Sequence, residues 1–399
     1  MQFDFDPGLE EFRHEVRAFV TEKLPTDIFE RQQSIGSLMS SNDDIRRWLA
    51  ILNEKGWAVP HWPVDLGGQQ WSPQEHFVFE EELYRAYAPE FPWGSTHMVA
   101  PTIYTFGTTA QQEQFLPSIR SGAMMWAQGF SEPGAGSDLA SLRTTAIRDG
   151  DQYTVNGQKI WTSGAHDSDW GFFLVKTDLT VKPQRGVSFL LIDLKTPGIT
   201  IRRIPQLNNE AHVCEVFLDN VVVPAENLVG EAGKGWSYAK FLLDHERTAS
   251  SYIYWNKREL RRTKELARSE MRAGSALAED PLFRVRLARL DAEVTALEWS
   301  VLRVLANEKF AYDETASASV LKVRGSELQQ AITETQMDLI GEKTIRSYPH
   351  GALGSEAGSQ WPGHVVGRTN MALLARAATI FGGSKQIQKN IIAKLAFNL

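Results

Sequence analysis

The spacing of apolar residues changes twice along this chain, and the order of those changes limits the folds it can adopt. Residues 8–120 carry apolar side chains at helical spacing, residues 121–233 carry the short alternating or apolar runs typical of strands, and helical spacing returns from Trp236 onward. Consecutive strands without intervening helices argue against a Rossmann sheet. We therefore predict an α+β fold made of an N-terminal helical domain, a central β domain (a small barrel or sandwich) and a C-terminal four-helix bundle, at residues 1–120, 121–235 and 236–399.

Local signals indicate the individual elements. Apolar residues from Leu9 to Phe19 share one helical face, and Pro25 ends that pattern. The pair Asn156-Gly157, which follows the alternating residues 153–155, predicts a hairpin turn. Further helical runs are expected at 236–272, 281–310, 314–340 and 368–396, and strands at 171–175, 187–192 and 213–218.

Composition and charge exclude some classes of function. The formal net charge of −7 argues against nucleic acid as a partner, because phosphate backbones bind basic surfaces, although a small anionic ligand stays compatible with it. The single cysteine, Cys214, allows no internal disulfide and is expected as a half-buried small apolar residue of a strand. The acidic N-terminus lacks the apolar run of a secretory signal, and no stretch approaches the roughly 20 apolar residues of a membrane span. We expect a cytoplasmic protein without membrane attachment.

Several common catalytic motifs are missing. No G-x-G-x-x-G follows a strand, and there is no Walker A sequence or G-x-S-x-G elbow. The glycines of 230–235 have the wrong spacing for a phosphate loop and are expected to form a turn that enters a helix at Trp236. The nine histidines are scattered without the spacing of a metal site, so we expect no bound metal.

Two segments of the β region have the residues of a ligand site. The segment Gln128–Asp138 reads Q-G-F-S-E-P-G-A-G-S-D; its glycines allow a ligand to approach the backbone, and its serine hydroxyls can donate hydrogen bonds. The segment Lys159–Gly164 reads K-I-W-T-S-G and places an indole beside hydroxyls, which suits an aromatic cofactor. Taken alone, the first segment is equally compatible with an ordinary glycine loop, and the second with a core tryptophan at the end of a strand.

Together and in this order, the two segments resemble those of the acyl-CoA dehydrogenase family. The resemblance covers essentially the whole chain and includes residues 221–230, the helix entry at 233–236 and residues 380–389. It implies a tightly but noncovalently bound FAD, an acyl-CoA substrate oxidised to the trans-2-enoyl-CoA, and an electron-transferring flavoprotein as the electron acceptor. Within the family, the chain is similar to the large subunit of pimeloyl-CoA dehydrogenase and to subunits of steroid side-chain acyl-CoA dehydrogenases.

The resemblance also implies roles for single residues. Ser131 matches a position that contacts the flavin ring, Trp161 matches the tryptophan that packs against this ring, and Ser163 matches the residue that forms a hydrogen bond near flavin N5. Ser137 matches a position that meets the CoA part of the substrate. The other residues that the resemblance assigns to the cofactor are Gln128, Gly136, Ser384 and Gln386.

The base that removes the α-proton of the substrate does not stand at its commonest position in this sequence. Most family members carry a glutamate in an I-Y-E-G-T segment, and Gly382 stands at that place, where its backbone N–H would still help to hold the thioester oxygen. A minority carry the glutamate on an earlier helix, immediately before an arginine, as Glu246 and Arg247 are placed here. We expect Glu246 to be the catalytic base and Arg247 to be its neighbour in the substrate site. The alternative for Glu246 is a surface carboxylate paired along its helix.

A second departure from the family pattern concerns assembly. Most members lend an R-x-x-F-G and a Q-x-x-G-G-x-G stretch to the FAD of a neighbouring subunit. The corresponding residues here, 280–286 and 336–342, lack those glycines. The chain is therefore expected in a tetramer, either an α2β2 assembly with a second acyl-CoA dehydrogenase-like subunit or a homotetramer with substitute contacts.

Two other functions of the same fold stay open on the sequence. An oxygen-using flavoenzyme similar to nitroalkane oxidase would reoxidise quickly in air, and the glutamate before Arg247 speaks against it. A non-catalytic partner subunit would complete the site of another chain, and the intact segments at 128–138 and 159–164 speak against that role. The identity of the acyl group cannot be read from the residues.

Overall fold

The N-terminal part of the chain is helical. The computed structural model describes residues 7–33, 35, 37, 39–244, 249–306, 314–345, 364–397 and 399. The helices of this part are α1 (Pro7–Lys23), α2 (Thr26–Gln33), α3 (Asn42–Lys55), α4 (Pro73–Arg85), α5 (Ala100–Phe106) and α6 (Thr109–Arg120). The expected first helix is confirmed, since α1 ends before Pro25.

Helix α4 matters for the site described below, and its start follows from capping chemistry. The hydroxyl of Ser72 accepts a hydrogen bond from the N–H of Glu75, whose carboxylate accepts one from the N–H of Ser72. Pro73 follows at the first helical position, where a missing N–H costs nothing. The buried face of α4 includes Phe77 and Phe79, and Phe79 packs on an aromatic cluster with Trp57 and Trp71.

The central part is a curled, mostly antiparallel sheet. Its strands are β1 (Trp126–Gly129), β2 (Thr145–Asp149), β3 (Gln152–Ser163), β4 (Trp170–Lys176), β5 (Val187–Asp193), β6 (Ile199–Arg203) and β7 (Val213–Pro224). Hydrogen bonds join them in the order β1-β4-β2-β3-β7-β6, with β5 on β4, and β4 runs parallel to both β1 and β2. The expected strands at 171–175, 187–192 and 213–218 are confirmed, and Cys214 lies in a strand, β7, as predicted, although it is fully buried and not half-buried.

The hairpin turn predicted at Asn156-Gly157 is wrong. Both residues lie inside β3, and the turn between β2 and β3 is at Gly150-Asp151 instead. Gly157 is required for another reason: a Cβ at this position would lie 2.7 Å from the Cα of Thr144, and the pairing with β7 shifts by a bulge between Val155 and Gly157. The same dipeptide signal thus marks a close backbone approach inside a strand.

The C-terminal part is again helical and is arranged around one long helix. The elements are α7 (Gly235–Asp244), α8 (Ile253–Ser269), a small hairpin of β8 (Met271–Arg272) and β9 (Ser275–Ala276), α9 (Pro281–Leu305), α10 (Glu314–Ile340), α11 (Arg368–Ala375) and α12 (Lys385–Ala396). Helix α10 packs against α8, α9, α11 and α12. The α+β fold with helical N- and C-terminal parts around a central sheet is confirmed. Within the described residues, we find no helix with the length and apolar character needed to cross a membrane.

The expected helical run 236–272 is not continuous. Helix α7 ends at Asp244, residues Ala249–Ser251 form a short 3-10 turn, and Tyr252 adopts a left-handed conformation with φ 52° before α8 begins. Ser251 accepts a hydrogen bond from the N–H of Ile253 through its own hydroxyl. Serine side chains compete in this way with helical hydrogen bonds, which favours a turn over a continuous helix.

Ion pairs join the N-terminal helices to the C-terminal ones. Arg13 of α1 donates to Glu82 of α4 at 3.0 Å. The preceding residue of α4, Glu81, accepts from Lys257 of α8, and Lys257 also contacts Glu298 of α9. These contacts hold α4 against the N-terminal half of α8.

Candidate active site

A buried ion pair anchors the loop that follows β1 to strand β3. The ammonium of Lys159 lies 2.8 Å from a carboxylate oxygen of Glu132 and also donates to the carbonyl oxygens of Leu174 at 2.7 Å and Phe130 at 3.2 Å. The carbonyl oxygen of Ser131 accepts from the N–H of Ile160 at 2.9 Å. The two predicted site segments, 128–138 and 159–164, are thus held side by side.

Both members of this pair are shielded from water. The side chain of Lys159 is 0% exposed and that of Glu132 is 7% exposed. Burial raises the pKa of Glu132, but the Lys159 ammonium and the hydrogen bonds from Thr144 outweigh it, so the carboxyl stays ionised at neutral pH. Burial lowers the pKa of Lys159 to about 8, against the opposing effect of Glu132. The lysine therefore keeps its charge at pH 7.

Trp161 is the large apolar side chain that this arrangement leaves open to solvent. Its side chain is 59% exposed, and its backbone has φ 61°, where the pairing of β3 with β7 is irregular between Lys159 and Thr162. A non-glycine residue in the left-handed region costs roughly 1–2 kcal/mol, and such strain is concentrated at functional sites. Ser163, the last residue of β3, is exposed and pairs with Val213 of β7.

The glycines of the loop 128–138 have open space around them. A Cβ added at Gly134 or Gly136 would meet no heavy atom of the chain within 4 Å, so internal packing does not explain glycine there. Ser137 is exposed and Ser131 is half-buried, while Gln128 lies half-buried in β1 opposite Phe172 of β4. An exposed indole, nearby hydroxyls and an open glycine backbone fit a planar aromatic cofactor such as FAD.

The structure describes the residues on either side of the segment that is expected to carry the catalytic base. Glu246 and Arg247 lie outside the described residues. After them, the turn Ala249–Ser251 packs on α10 so closely that the carbonyl oxygen of Ser251 lies 1.9 Å from the position of a Cβ on Gly325. The side-chain amide of Asn256 donates to the carbonyl oxygens of both Ser251 and Gly325, at 3.4 Å and 3.2 Å. Gly325 therefore sets where this turn lies.

Replacing Gly325 by alanine is expected to displace the turn. The added methyl group would overlap the Ser251 backbone, and overpacking of this kind costs roughly 1–3 kcal/mol in the free energy of unfolding. We also expect a lower kcat, because the turn begins at Ala249, shortly after Glu246, the expected base. Thermal unfolding and steady-state turnover measure both effects. Gly8→Ala is the matched control, since a Cβ there meets nothing within 4 Å; equal stability of the two variants would contradict this role for Gly325.

The C-terminal turn at Gly382 lies beside a buried lysine. Lys322 of α10 is 2% exposed and donates to the hydroxyl of Tyr252 at 2.8 Å and to the carbonyl oxygen of Ala378 at 3.1 Å. Its ammonium lies over the ring of Phe381, 5.0 Å from the ring centroid, and 3.5 Å from where a Cβ on Gly382 would stand. Lys322 thus joins the start of α8 to the turn before α12.

The other two C-terminal candidates start helix α12. The hydroxyl of Ser384 caps this helix by accepting from the N–H of Ile387 at 3.3 Å, and Gln386 is exposed in its first turn. Within the described residues, no hydrogen bond joins Gly382, Ser384 or Gln386 to Ser131, Trp161 or Ser163. The structure therefore groups the predicted residues in two places, one on the β sheet and one beside Lys322.

The sequence reasoning missed the residues that support both places. Glu132 and Lys159 stand inside the segments 128–138 and 159–164. Their opposite charges within apolar surroundings could have predicted a buried ion pair. No local sequence pattern pointed to Lys322 or Tyr252, because the two residues come together only through the packing of α10 against the start of α8.

Comparisons with known proteins agree along the full length. Family models match residues 6–123 (acyl-CoA dehydrogenase, N-terminal domain), 127–221 (middle domain) and 233–397 (C-terminal domain). The acyl-CoA dehydrogenase IpdE1 of Mycobacterium tuberculosis is 36% identical, over 98% of each chain. A chain of the ChsE4–ChsE5 complex from Mycobacterium tuberculosis is 31% identical, with a TM-score of 0.83 over 100% of this chain and 99% of that one. The Tcur3481–Tcur3483 steroid ACAD is 28% identical, with a TM-score of 0.83 over the same shares. The chain belongs to the acyl-CoA dehydrogenase family of oxidoreductases.

Proposed function

We propose that this protein is an FAD-dependent dehydrogenase that introduces an α,β double bond into an acyl-CoA thioester and passes the electrons to an electron-transferring flavoprotein. The observation that carries the proposal is the exposed Trp161, held at a left-handed backbone position one residue after Ile160, whose N–H donates to Ser131 of the glycine loop. Full-length membership of the family supports it.

Different residues of the chain would bind the cofactor, remove the α-proton and hold the substrate. Trp161, Ser163 and the backbone near Ser131 would hold the ring of FAD, and Ser384 and Gln386 would contact the rest of that cofactor. When bound, FAD supplies the acceptor for the hydride that leaves the β-carbon. The Glu246 carboxylate takes the proton from the α-carbon, and the two electrons of that C–H bond form the double bond. The backbone N–H of Gly382 would hold the thioester oxygen, and Ser137 would contact the CoA part. Arg247 would lie beside the base in the substrate site.

The direct test is anaerobic mixing of the FAD-loaded protein with a panel of acyl-CoA thioesters. A substrate is expected to bleach the absorption band of the flavin and to yield the trans-2-enoyl-CoA. The unesterified acid is the control, since it lacks the acidified α-proton of a thioester. A flavin that no thioester in a broad panel reduces would refute the proposal, and rapid reoxidation by air alone would favour the oxygen-using alternative.

The role of Trp161 is tested by FAD binding. Stacking between aromatic rings contributes about 0.5–1.5 kcal/mol beyond area burial, so Trp161→Ala should raise the dissociation constant of FAD by roughly 2- to 12-fold from stacking alone. Fluorescence titration of the FAD-stripped protein measures this constant. Trp161→Phe, which keeps a ring, should stay near the parent value. The same FAD affinity in parent and Trp161→Ala would exclude the indole from the site.

For assembly, we propose an α2β2 tetramer in which this chain carries the flavin ring site and the base. Gln336, at the position of the glutamine in the Q-x-x-G-G-x-G stretch, is 1% exposed and donates to Glu259 and Thr263 of its own α8, both at 3.1 Å, so it faces the interior of this chain. The ChsE4–ChsE5 relative is a complex of two different chains. Purification of this chain alone is expected to give substoichiometric FAD, and a fully loaded homotetramer would refute the mixed assembly.

For location, we propose the cytoplasm. The single cysteine is buried and free, and a chain with one cysteine gains no internal disulfide from an oxidising compartment.

A further inference from the structure

One side chain of α10 joins the residues before α8 to the turn before α12. Lys322 is 2% exposed, and its ammonium donates to the hydroxyl of Tyr252 at 2.8 Å and to the carbonyl oxygen of Ala378 at 3.1 Å. The ammonium also lies over two aromatic rings, 4.7 Å from the ring centroid of Tyr252 and 5.0 Å from that of Phe381. Such contacts offset the loss of water around a buried cation. They fix the position of the charge between the two segments.

Both segments that Lys322 joins contain a residue with left-handed backbone. Tyr252 has φ 52° although it is not a glycine, and Gly382 has φ 61°. A side chain at such a φ is unfavourable, and strain of this kind is concentrated at functional sites. Gly325, on the next turn of α10, sets the position of the turn Ala249–Ser251. One region of α10 thus holds the turn before α8 and the turn before α12 in a fixed relation.

The ammonium lies close to the backbone of Gly382. A Cβ on Gly382 would stand 3.5 Å from the Lys322 nitrogen. Because the nitrogen of Gly382 is bonded to the same Cα as that Cβ, the charge is no more than about 6 Å from the N–H proposed to hold the thioester oxygen. Gly382 is exposed, whereas Lys322 is buried. A substrate can therefore contact this backbone while the lysine acts on it through space.

The proposed reaction develops negative charge at this place. When the base removes the α-proton, the electron pair of the C–H bond moves toward the thioester carbonyl, whose oxygen becomes enolate-like. The same pair then forms the double bond as a hydride leaves the β-carbon. A positive charge that the fold has already oriented stabilises this oxygen more after proton removal than before, and this difference lowers the barrier.

We propose that Lys322 is a positioning residue whose charge, acting across the backbone of Gly382, makes the α-hydrogens of the bound thioester more acidic. The inference rests on the proposed dehydrogenase function and deepens it. The charge and the hydrogen bonds of Lys322 can be separated by substitution. Lys322→Gln removes the charge and keeps a side-chain donor, Lys322→Met removes both, and Lys322→Arg keeps both.

An analogue that can lose its α-proton but not a hydride isolates the step on which the charge would act. In 3-thiaoctanoyl-CoA, sulfur replaces the β-carbon, so the base can form the enolate while no hydride can leave. An enolate next to oxidised flavin gives a charge-transfer absorption band. The pH midpoint of this band measures how readily the bound analogue loses its proton. The measurement uses the FAD-loaded enzyme, assembled with its partner chain where loading requires one.

Removal of the charge should make the bound analogue a weaker acid. Lys322→Gln and Lys322→Met should both raise the midpoint by about 1–2 pH units, the effect of a unit charge at roughly 6–9 Å in an effective dielectric of about 20. Lys322→Arg should stay closer to the parent than to Lys322→Gln. Lys394→Met, which removes an exposed lysine of α12, is the matched control and should leave the midpoint unchanged.

Other titratable groups near Lys322 need a separate check. Within the described residues, those on the neighbouring elements are Tyr252, Arg376 with its partner Glu334, and Lys385 with its partner Glu327. Both carboxylates are paired with a cation, so the phenol is the group to test. Tyr252→Phe removes the phenol and keeps the lysine, and its midpoint should stay near that of the parent.

The possible results separate this inference from the function on which it rests. A midpoint that stays or falls in Lys322→Gln overturns the role of the charge and leaves the dehydrogenase function in place, even if Lys322→Met does not fold. A rise in Lys322→Met alone, or an equal rise in Lys322→Arg and Lys322→Gln, also overturns it, because lost contacts would then explain the effect.

The parent enzyme supplies the remaining distinction. If it forms no band with the analogue although an acyl-CoA thioester reduces its flavin, no stabilised enolate forms, and the inference alone is overturned. If it forms no band and no thioester reduces a flavin that dithionite reduces normally, the dehydrogenase function is overturned and the inference with it.

Discussion

Replacement of Glu246 by glutamine is expected to lower the rate of flavin reduction by acyl-CoA roughly 10²- to 10⁴-fold, the contribution that a positioned general base makes to proton transfer. The amide has nearly the size of the carboxylate but cannot accept the α-proton at neutral pH. Binding of the thioester should change much less than the rate, because the contacts proposed for the CoA part and the thioester oxygen come from Ser137 and the backbone of Gly382. Rapid mixing of the FAD-loaded variant with substrate, under anaerobic conditions, separates the reduction rate from the binding constant.

The matched control is Glu231→Gln, which removes an exposed carboxylate from the turn before α7. It should reduce the flavin at the parent rate. A Glu246→Gln variant with near-parent reduction rates would remove Glu246 from the mechanism. The same result would leave the flavin site on β3 untouched, since that part of the proposal depends on Trp161 and its neighbours.

Lys159→Met is expected to destabilise the protein by about 3–5 kcal/mol, the usual effect of removing one partner from a buried ion pair. Methionine fills the space, but it leaves the Glu132 carboxylate, 7% exposed, without its cation, and it removes the hydrogen bonds of the ammonium to the carbonyl oxygens of Leu174 and Phe130. The loop of residues 128–138 loses its anchor to β3 at the same time, so FAD affinity should fall with stability. Chemical unfolding, followed by tryptophan fluorescence, measures the free energy.

The control for this prediction is Lys195→Met, because the side chain of Lys195 is 80% exposed. Its effect should stay within about 0.5 kcal/mol, as is usual for surface substitutions. The double variant Glu132→Gln/Lys159→Met should be more stable than Lys159→Met alone, since an amide tolerates burial without a cation better than a carboxylate does. If Lys159→Met and Lys195→Met unfold at the same denaturant concentration, the buried pair does not support the loop.

The fold was predictable because the apolar spacing changes from helical to strand-like and back along the chain. The start of α4 could also be read, since Ser72, Pro73 and Glu75 act locally. Asn156-Gly157 misled the prediction because a glycine required by the close approach of Thr144 has the same local sequence as a hairpin turn. A local sequence pattern does not show which backbone segment, distant in the sequence, lies close to it in the fold.

The site was predictable only in part, for a related reason. Trp161, Ser131 and the loop glycines stand in two recognisable segments, and the structure brings those segments together. Lys322 and Tyr252 are 70 residues apart in the sequence, and their proximity depends on how α10 packs against the start of α8. Charged residues within helical sequences are normally solvated, so nothing in the sequence distinguishes these from surface residues.

The lysine beside Gly382 would hinder a transfer of the proposed base from position 246 to position 382. A glutamate introduced at 382 would have to adopt φ 61°, which side chains rarely tolerate, and it would start 3.5 Å from the Lys322 ammonium, which would hold it as a salt-bridge partner and weaken it as a proton acceptor. A glutamate at 382 would therefore serve as the base only if at least one further residue, Lys322, were replaced together with Gly382. In an engineered or ancestral series that moves the glutamate from 246 to 382, Lys322 should therefore be replaced as well.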